Sequence, residues 1–407
     1  MFPLLPPSPA AWPRPCAKSL SSSPGAAGGG RSWRSRLPFK FALRRGVFSF
    51  NRKRVLVALS GGVDSAVAAA LLKESGCEVV GITFQLWPEK AAEATDTPPP
   101  AAAEDARCVA ERLGIEHEVA DLREAFAEEV VAYFTREYGC GRTPNPCVIC
   151  NRKIKFAALL QRAQQRHCSH IATGHYARVE YSPQRGRYLL KKGLDPAKDQ
   201  SYMLYNLTQE HLARCLFPLG ELTKKEVRAK ARELGLPVAE KKESQEICFI
   251  PEGDYRAFLK RRGMEGLPGN IVNRRGEILG RHRGVAFYTV GQRRGLGLAA
   301  PRPLYVLEIR PQDNTIVVGE REELYRQGAE LCGLNLIAIP ALEQEMEVTV
   351  KIRYTAPEVP ATISPLPQEG RARLLFARPQ AAVAPGQAAV LYRDDLVIGG
   401  GIIDAAV

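Results

Sequence analysis

The chain has no Asp or Glu before Asp64, although it holds 44 acids in 407 residues. Residues 1–50 nonetheless carry eight basic side chains: Arg14, Lys18, Arg31, Arg34, Arg36, Lys40, Arg44 and Arg45. The formal net charge of +13 falls to +5 once those eight are removed. Whole-chain charge is therefore a poor argument for a nucleic-acid partner. An acid-free leader rich in Arg, Ser, Pro, Ala and Gly has the composition of an organellar transit peptide. It lacks the continuous apolar core of a secretory signal. The expected address is a plastid or a mitochondrion, with the Ser/Pro/Ala content leaning toward the plastid; a disordered extension is the alternative. No apolar run reaches the roughly 20 residues a membrane helix needs, so no membrane partner is expected. Ten cysteines in a chain of this length are too sparse for a secreted disulfide scaffold, and most should be reduced, buried thiols.

The length suggests two or three domains. Val55-Leu56-Val57-Ala58-Leu59 reads as a buried parallel strand. Asp64–Ser75 has helical spacing and stops at Gly76. Glu78–Phe84 reads as a second strand. This βαβ order predicts an α/β fold with an N-terminal doubly wound parallel sheet. Residues 88–103 read as a Pro/Ala-rich loop. A helix is expected over Glu104–Leu113, a strand near His117–Ala120, a helix over Leu122–Glu137, an ordered loop over Gly139–Cys150, a helix over Lys153–Arg166, and a strand from His170. Beyond about residue 252, short alternating segments such as Val285–Val290, Leu304–Ile309, Glu347–Arg353, Ala372–Phe376 and Ala388–Tyr392 replace the βα units. They predict a small central domain and a C-terminal β-barrel-like domain. The expected divisions are leader 1–50, nucleotide-binding catalytic domain 51–252, central domain 253–322 and barrel 323–407.

Ser60-Gly61-Gly62-Val63-Asp64-Ser65 lies between the first strand and the first helix. Glycines let backbone approach phosphate oxygens, and a helix N-terminus offers free N–H groups. With no Gly-Lys-Ser/Thr ending, this is not a Walker A loop. Its pattern matches the pyrophosphatase loop (PP-loop) of adenylating enzymes, which cleave ATP between the α and β phosphates. Ala58 to Ser65 are the expected ATP contacts, with Asp64 holding magnesium between itself and phosphate. The loop identifies an activation step and leaves the substrate open.

Further motifs follow: Arg142-Thr143-Pro144-Asn145-Pro146-Cys147-Val148-Ile149-Cys150-Asn151, with Lys153-Ile154-Lys155-Phe156 behind it, then Ala172-Thr173-Gly174-His175-Tyr176-Ala177-Arg178, Lys198-Asp199-Gln200-Ser201-Tyr202, Glu243-Ser244-Gln245-Glu246-Ile247-Cys248-Phe249-Ile250-Pro251 and Tyr288-Thr289-Val290-Gly291-Gln292-Arg293. From about Arg54 to its C-terminus, the chain resembles the tRNA-specific 2-thiouridylase family. The resemblance implies a nucleotide-binding domain of the adenine nucleotide alpha hydrolase type. It also implies ATP-dependent thiolation of the wobble uridine of tRNA at C2. Cys150 matches the nucleophilic cysteine and Cys248 the persulfide carrier. Phe84 and Gly174 match ATP contacts. Asn145, Pro146 and Cys147 lie where the target base is read. His175, Lys198, Asp199, Gln200, Arg353, Tyr354 and Gln387 match tRNA-facing positions. The implied partners are tRNA and a sulfur donor, either a cysteine desulfurase or a persulfide carrier, and a monomer is expected.

Well-known bacterial members carry an acid where this chain has Cys147. Three thiolates, Cys147, Cys150 and Cys248, could hold three irons of a 4Fe–4S cluster. A metal-free persulfide pair of Cys150 and Cys248 is the other main reading, and a dithiol redox pair a third. Tetrahedral zinc is short of a fourth ligand, because no second Cys-x-x-Cys exists. Residues 260–302 hold ten Lys/Arg against Glu265 and Glu277, a local +8. That is the electrostatic footprint of an RNA backbone. His175, Tyr176 and Tyr202 are aromatic candidates for enclosing a splayed base.

Overall fold

A computed structural model of the chain describes residues 53–87, 101–242, 247–250 and 253–407. The basic leader, most of the Pro/Ala-rich loop, and Glu243 to Glu246 and Pro251 of the downstream motif lie outside these residues.

The nucleotide-binding region contains strands β1 (Arg54–Ala58), β2 (Glu78–Gln85), β3 (Glu116–Asp121), β4 (His170–Ala172), β5 (Ala177–Ser182), β6 (Arg187–Lys192) and β7 (Cys215–Leu216). Five of them form an all-parallel sheet in the order β3-β2-β1-β4-β7. Val55, Leu56 and Val57 are fully buried, as expected of a strand covered on both faces. Helices α1 (Val63–Glu74), α2 (Ala101–Leu113), α3 (Arg123–Phe126), α4 (Ala132–Gly139), α5 (Pro146–Cys150), α6 (Ala157–Gln165), α7 (Ser201–Leu204), α8 (Gln209–Arg214) and α9 (Lys224–Glu233) surround it. Eight of the twelve α1 residues are buried, four of them alanines that let the helix lie close to its neighbours.

Two expectations need correction here. The segment Gly139–Cys150 is not all loop, because Pro146–Cys150 is already helical. Proline fits the first turn of a helix, where its missing N–H costs nothing, so the Pro/Cys-rich composition concealed a helix start. A π turn over Asn151–Phe156 then joins α5 to α6. Likewise the expected helix near Leu122–Glu137 contains a π turn at Ala127–Val131 between α3 and α4.

Helix α10 (Tyr255–Arg261) leads into a four-stranded sheet of β8 (Gly269–Val272), β9 (Ile278–His282), β10 (Tyr305–Arg310) and β11 (Thr315–Gly319), ordered β10-β11-β8-β9. The expected strand at Val285–Val290 is instead a 3₁₀ turn at Val285–Phe287. It enters through Gly284, whose φ of +125° and close approach to Gly266 exclude a Cβ. Ala286, Phe287 and Tyr288 all turn into the core.

Strands β12 (Tyr325–Leu336), β13 (Met346–Lys351), β14 (Val359–Pro365), β15 (Ala372–Ala381), β16 (Ala388–Arg393) and β17 (Leu396–Ala406) run β12-β15-β14-β13-β16-β17, and β12 pairs again with β17. The sheet thus closes into an antiparallel barrel, which removes its free edges. Alternating burial along β15 sends Ala372, Leu374 and Phe376 inward. The β5–β6 hairpin attaches to β17 through Lys191 and Leu396. The described residues from 53 to 407 form one compact unit.

Candidate active site

Strand β2 lies on one side of β1 and β4 on the other, so the chain reverses direction across the sheet between β1 and β4. Ligands of open parallel sheets bind beyond the carboxyl ends of the strands at such a switch point. Ser60-Gly61-Gly62 follows β1 there, and Thr173-Gly174 follows β4. Gly61 has φ +69°, and a Cβ on it would meet the Ala102 carbonyl oxygen at 2.3 Å. A Cβ on Gly174 would lie 2.6 Å from the Ser65 backbone nitrogen and 2.7 Å from the Asp64 carbonyl carbon. The β4 loop thus comes up against the start of α1 at a position that only glycine fits.

Inside the loop the Ser60 N–H donates to Ser65 Oγ at 3.1 Å, and Ser65 Oγ donates to the Gly62 carbonyl at 3.1 Å. Leu59 is fixed from β2: its N–H donates to Ile82 O, and its carbonyl accepts from Thr83 Oγ1, both at 2.8 Å. Ala58 and Phe84 are half-buried beside it, and Val63 is buried at the start of α1. Asp64 is more committed than its sequence role suggests. Its carboxylate accepts from Lys224 Nζ at 2.7 and 2.8 Å and from the Tyr176 hydroxyl at 2.8 Å. It ties α1 to α9, and a magnesium ion there would compete with the Lys224 ammonium. Lys241 Nζ donates to the Gly61 carbonyl at 3.0 Å. Lys224 and Lys241 were missed by sequence reasoning, and Tyr176 was named for another task, because the contacts depend on residues far apart in the chain.

Cys147 and Cys150 lie in α5, with Cys150 buried among Phe126, Val130, Phe134, Ile154 and Phe249. Cys248 is brought to them by its neighbour. Phe249 is 2% exposed, and its ring centroid lies 5.9 Å from that of Trp87, 5.6 Å from Phe126, 5.3 Å from Phe134 and 5.2 Å from Phe258. Cys248 itself is exposed. All three thiols are free, and each feels the charge of Lys155. Among the described residues, no three Cys, His, Asp or Glu side chains converge as metal ligands.

A lowered thiol pKa is not what the fold produces. Burial pushes the Cys150 thiol up to about 12, and the positive charge of Lys155 offsets only part of that. Cys147 is raised for the same reason, and Cys248 is raised by the protein crowded around its thiol although the residue still meets solvent. The thiolate fraction of Cys150 therefore grows as pH rises toward that value. Alkylation of Cys150 by iodoacetamide, followed by peptide mass spectrometry, should accelerate nearly tenfold per pH unit between pH 7 and 9, about the limit for one titrating thiol. A plateau below pH 8 would show that burial does not control this thiol.

Phe249→Ala is a second test. It should cost about 3–5 kcal/mol of stability, the usual range for a deleted buried Phe, and free Cys248 from its anchor. The measurements are thermal unfolding and the alkylation rate of Cys248. Lower stability with an unchanged Cys248 rate would remove the anchoring role.

The positions expected to face RNA come together from three parts of the chain. Gln387, before β16, donates from Nε2 to the Thr143 carbonyl at 2.9 Å, and Arg142 reaches Asp404 Oδ1 at 3.1 Å. Asn145 Nδ2 approaches Met203 Sδ at 3.7 Å, and Asn151 Nδ2 donates to the Met203 carbonyl at 3.0 Å. Pro146 is buried at the start of α5. The Tyr354 hydroxyl donates to the Asp199 carbonyl at 3.3 Å, and Arg353 beside it is exposed. The Asp199 carboxylate is buried and occupied by the Gly193 and Ser201 N–H groups and the Ser201 hydroxyl. Gln200 exchanges hydrogen bonds with Tyr176, and Lys198 is half-buried nearby. Asp199 and Gln200 thus shape the turn.

The aromatic candidates divide. Tyr176 and Tyr202 are 2% and 0% exposed, with their hydroxyls donating to Asp64 and to the Ala388 carbonyl at 2.8 Å. Neither is a stacking platform. His175 stacks on Phe156 at 5.9 Å and shares a 2.7 Å hydrogen bond with Thr173 Oγ1. Burial, helped by Lys155, lowers its pKa to about 3, so it is neutral at physiological pH. All ten Lys/Arg of residues 260–302 are exposed, with Arg274 and Arg302 paired to Glu323 and Glu320.

Three family descriptions match the chain in succession. They are the tRNA methyl transferase HUP domain over residues 53–252, the tRNA methyl transferase PRC-barrel domain over 256–320, and the aminomethyltransferase beta-barrel domain over 330–403. Tengcongensis-subspecies Caldanaerobacter subterraneus has a tRNA-specific 2-thiouridylase, MnmA 1, that is 52% identical over 359 residues, covering 87% of this chain and 98% of its own. The MnmA of Moorella thermoacetica is 52% identical over 360 residues, covering 86% and 99%. The chain belongs to the tRNA-specific 2-thiouridylase family. Among solved structures, a 4-thiouridine synthetase–RNA complex with bound ATP is 15% identical with a TM-score of 0.32, covering 52% of this chain and 50% of its own. An NMN synthetase from Francisella tularensis is 19% identical with a TM-score of 0.30, covering 53% and 79%. Among the described residues, no helix of this family member is long and apolar enough to cross a membrane.

Proposed function

We infer that this protein is an ATP-dependent tRNA sulfurtransferase that replaces O2 of a uridine, which we take to be the wobble uridine, with sulfur. One observation carries the reading: an adenylating-type loop at the switch point shares a domain with two cysteines from separate segments, Cys150 and Cys248. ATP, with its magnesium, binds over Ser60 to Ser65. The uridine O2 attacks the α-phosphate, pyrophosphate leaves, and C2 acquires a good leaving group. The terminal sulfur of a Cys248 persulfide then attacks C2 as an anion. The C–S bond forms, and the C2–O bond breaks as AMP departs. The Cys150 thiolate attacks the Cys248 sulfur, forming a Cys150–Cys248 disulfide and releasing 2-thiouridine, which takes up a proton. An external dithiol reductant reopens the disulfide.

A cysteine desulfurase or a persulfide carrier would supply the sulfur to the monomer. Anaerobic purification with iron and sulfide analysis separates this route from a cluster on Cys147, Cys150 and Cys248. Activity that tracks bound iron would replace the persulfide route. The function itself is tested with ATP, tRNA and a persulfide donor. AMP and thiolated tRNA should form together, and tRNA-dependent ATP–pyrophosphate exchange should occur. Absence of both would sink the reading. The acid-free leader supports import into a plastid or mitochondrion, to be tested by fusing residues 1–50 to a fluorescent reporter.

A further inference from the structure

Lys155 lies behind the Cys147–Cys150 pair. It follows Cys150 by five residues, in the π turn Asn151–Phe156. In an α-helix, with about 3.6 residues per turn, positions five apart lie on different faces. The i→i+5 bonding of a π turn instead stacks them, and such turns recur at functional sites. The turn therefore swings Lys155 onto the face that carries Cys150, while Cys147, one α-helical turn earlier, shares that face. Its sequence neighbours Ile154 and Phe156 are buried, and Phe156 stacks on His175.

Around Lys155 the described residues place four titratable groups. They are Cys147 and Cys150 on its own helix, Cys248 on the Ile247–Ile250 segment, and His175 after β4. Among the described residues no carboxylate pairs with it. A half-buried ammonium without a counter-charge is costly. Its surroundings offer thiols, which become anions during sulfur transfer, and a neutral imidazole.

We propose that Lys155 is the counter-ion that holds the sulfur anions of Cys150 and of the Cys248 persulfide at the reaction centre. The inference rests on the sulfurtransferase reading. Lys155 forms and breaks no bond; it lowers the cost of placing negative sulfur in an apolar pocket before attack on C2. As a positioning residue it favours sulfur transfer and leaves adenylation untouched.

The test uses the full chain with Lys155→Gln and Lys155→Arg. Lys155→Gln should slow sulfur transfer at pH 7.5 by about 10²-fold, the scale of losing one preorganised charge in a dry site. The deficit should narrow as pH is raised, and Lys155→Arg should recover most of the rate. The tRNA-dependent ATP–pyrophosphate exchange should stay within about twofold, which also reports a folded protein. Iodoacetamide alkylation of Cys150 in Lys155→Gln, which needs no tRNA, should slow in parallel. That last measurement separates the role of Lys155 from the function reading, since a wild-type protein that fails to thiolate tRNA still reports it. Unchanged Cys150 alkylation across pH overturns the proposal. So does a Lys155→Gln protein that loses pyrophosphate exchange, because the ammonium would then serve the adenylate phosphate.

Discussion

Replacing Cys150 by alanine is expected to abolish tRNA thiolation, by at least about 10³-fold in kcat, while tRNA affinity changes by less than about twofold. The asymmetry follows from where the thiol sits. Cys150 is 4% exposed and belongs to the apolar cluster that includes Phe126, Phe134, Ile154 and Phe249. It has little surface to offer an RNA, whereas the exposed basic face of residues 260–302 is intact in the variant. Removing one small sulfur leaves a cavity smaller than a Leu→Ala change creates, so a stability loss of about 1–2 kcal/mol is expected rather than unfolding. Adenylation should survive, because the nucleotide loop lies on a different element. The variant should therefore release pyrophosphate with tRNA and ATP but form no thiouridine. Gel shift with tRNA, pyrophosphate release and mass spectrometry of the nucleosides measure the three quantities. Thiouridine formed at more than about a tenth of the normal rate would remove Cys150 from the mechanism.

What could be read without the structure divides along local and distant contacts. The nucleotide loop was legible because strand, glycines and helix start are adjacent in sequence, and their physical reasons are local. The switch point was implied by the βαβ order. Cys150 and Cys248 were named from the family resemblance, but nothing in their spacing says that Phe249 anchors one of them near the other. The state of the thiols depends on the same distant packing: burial among residues from several segments outweighs the charge of Lys155 and raises the Cys150 pKa. Tyr176 and Tyr202 looked like stacking platforms because they flank polar residues; their partners, Asp64 and Ala388, lie in distant segments. Asp64 looked like a free metal ligand until Lys224 arrived from α9. The 3₁₀ turn at Val285–Phe287 defeated the alternation rule because three consecutive residues, Ala286 to Tyr288, are buried, a pattern with no period of two.

Gly174→Ala should have a large effect for a single-methyl change in the nucleotide site. The added Cβ would lie 2.6 Å from the Ser65 nitrogen and 2.7 Å from the Asp64 carbonyl carbon. Both obstacles are backbone at the start of α1, so no side chain can swing away to make room. Either β4 and its loop retreat from β1, or α1 shifts and carries Ser60 to Ser65 with it. The first choice strains a parallel pairing whose residues Leu56 and Ile171 are fully buried. The second breaks the hydrogen bonds that hold the loop around Ser65. Overpacking of this kind costs about 1–3 kcal/mol, less than the stability of a typical domain, so the protein should fold with a distorted loop. ATP binding, by calorimetry, is expected to weaken at least about tenfold for each 1.4 kcal/mol of strain relieved by opening the site. Pyrophosphate exchange should fall below detection, with tRNA affinity preserved. Gly186→Ala is the control. That glycine also has positive φ, +62°, but a Cβ on it meets nothing within 4 Å, and ATP use should be unaffected. If Gly174→Ala binds ATP as the wild type does, the contact between the β4 loop and α1 is not part of the nucleotide site.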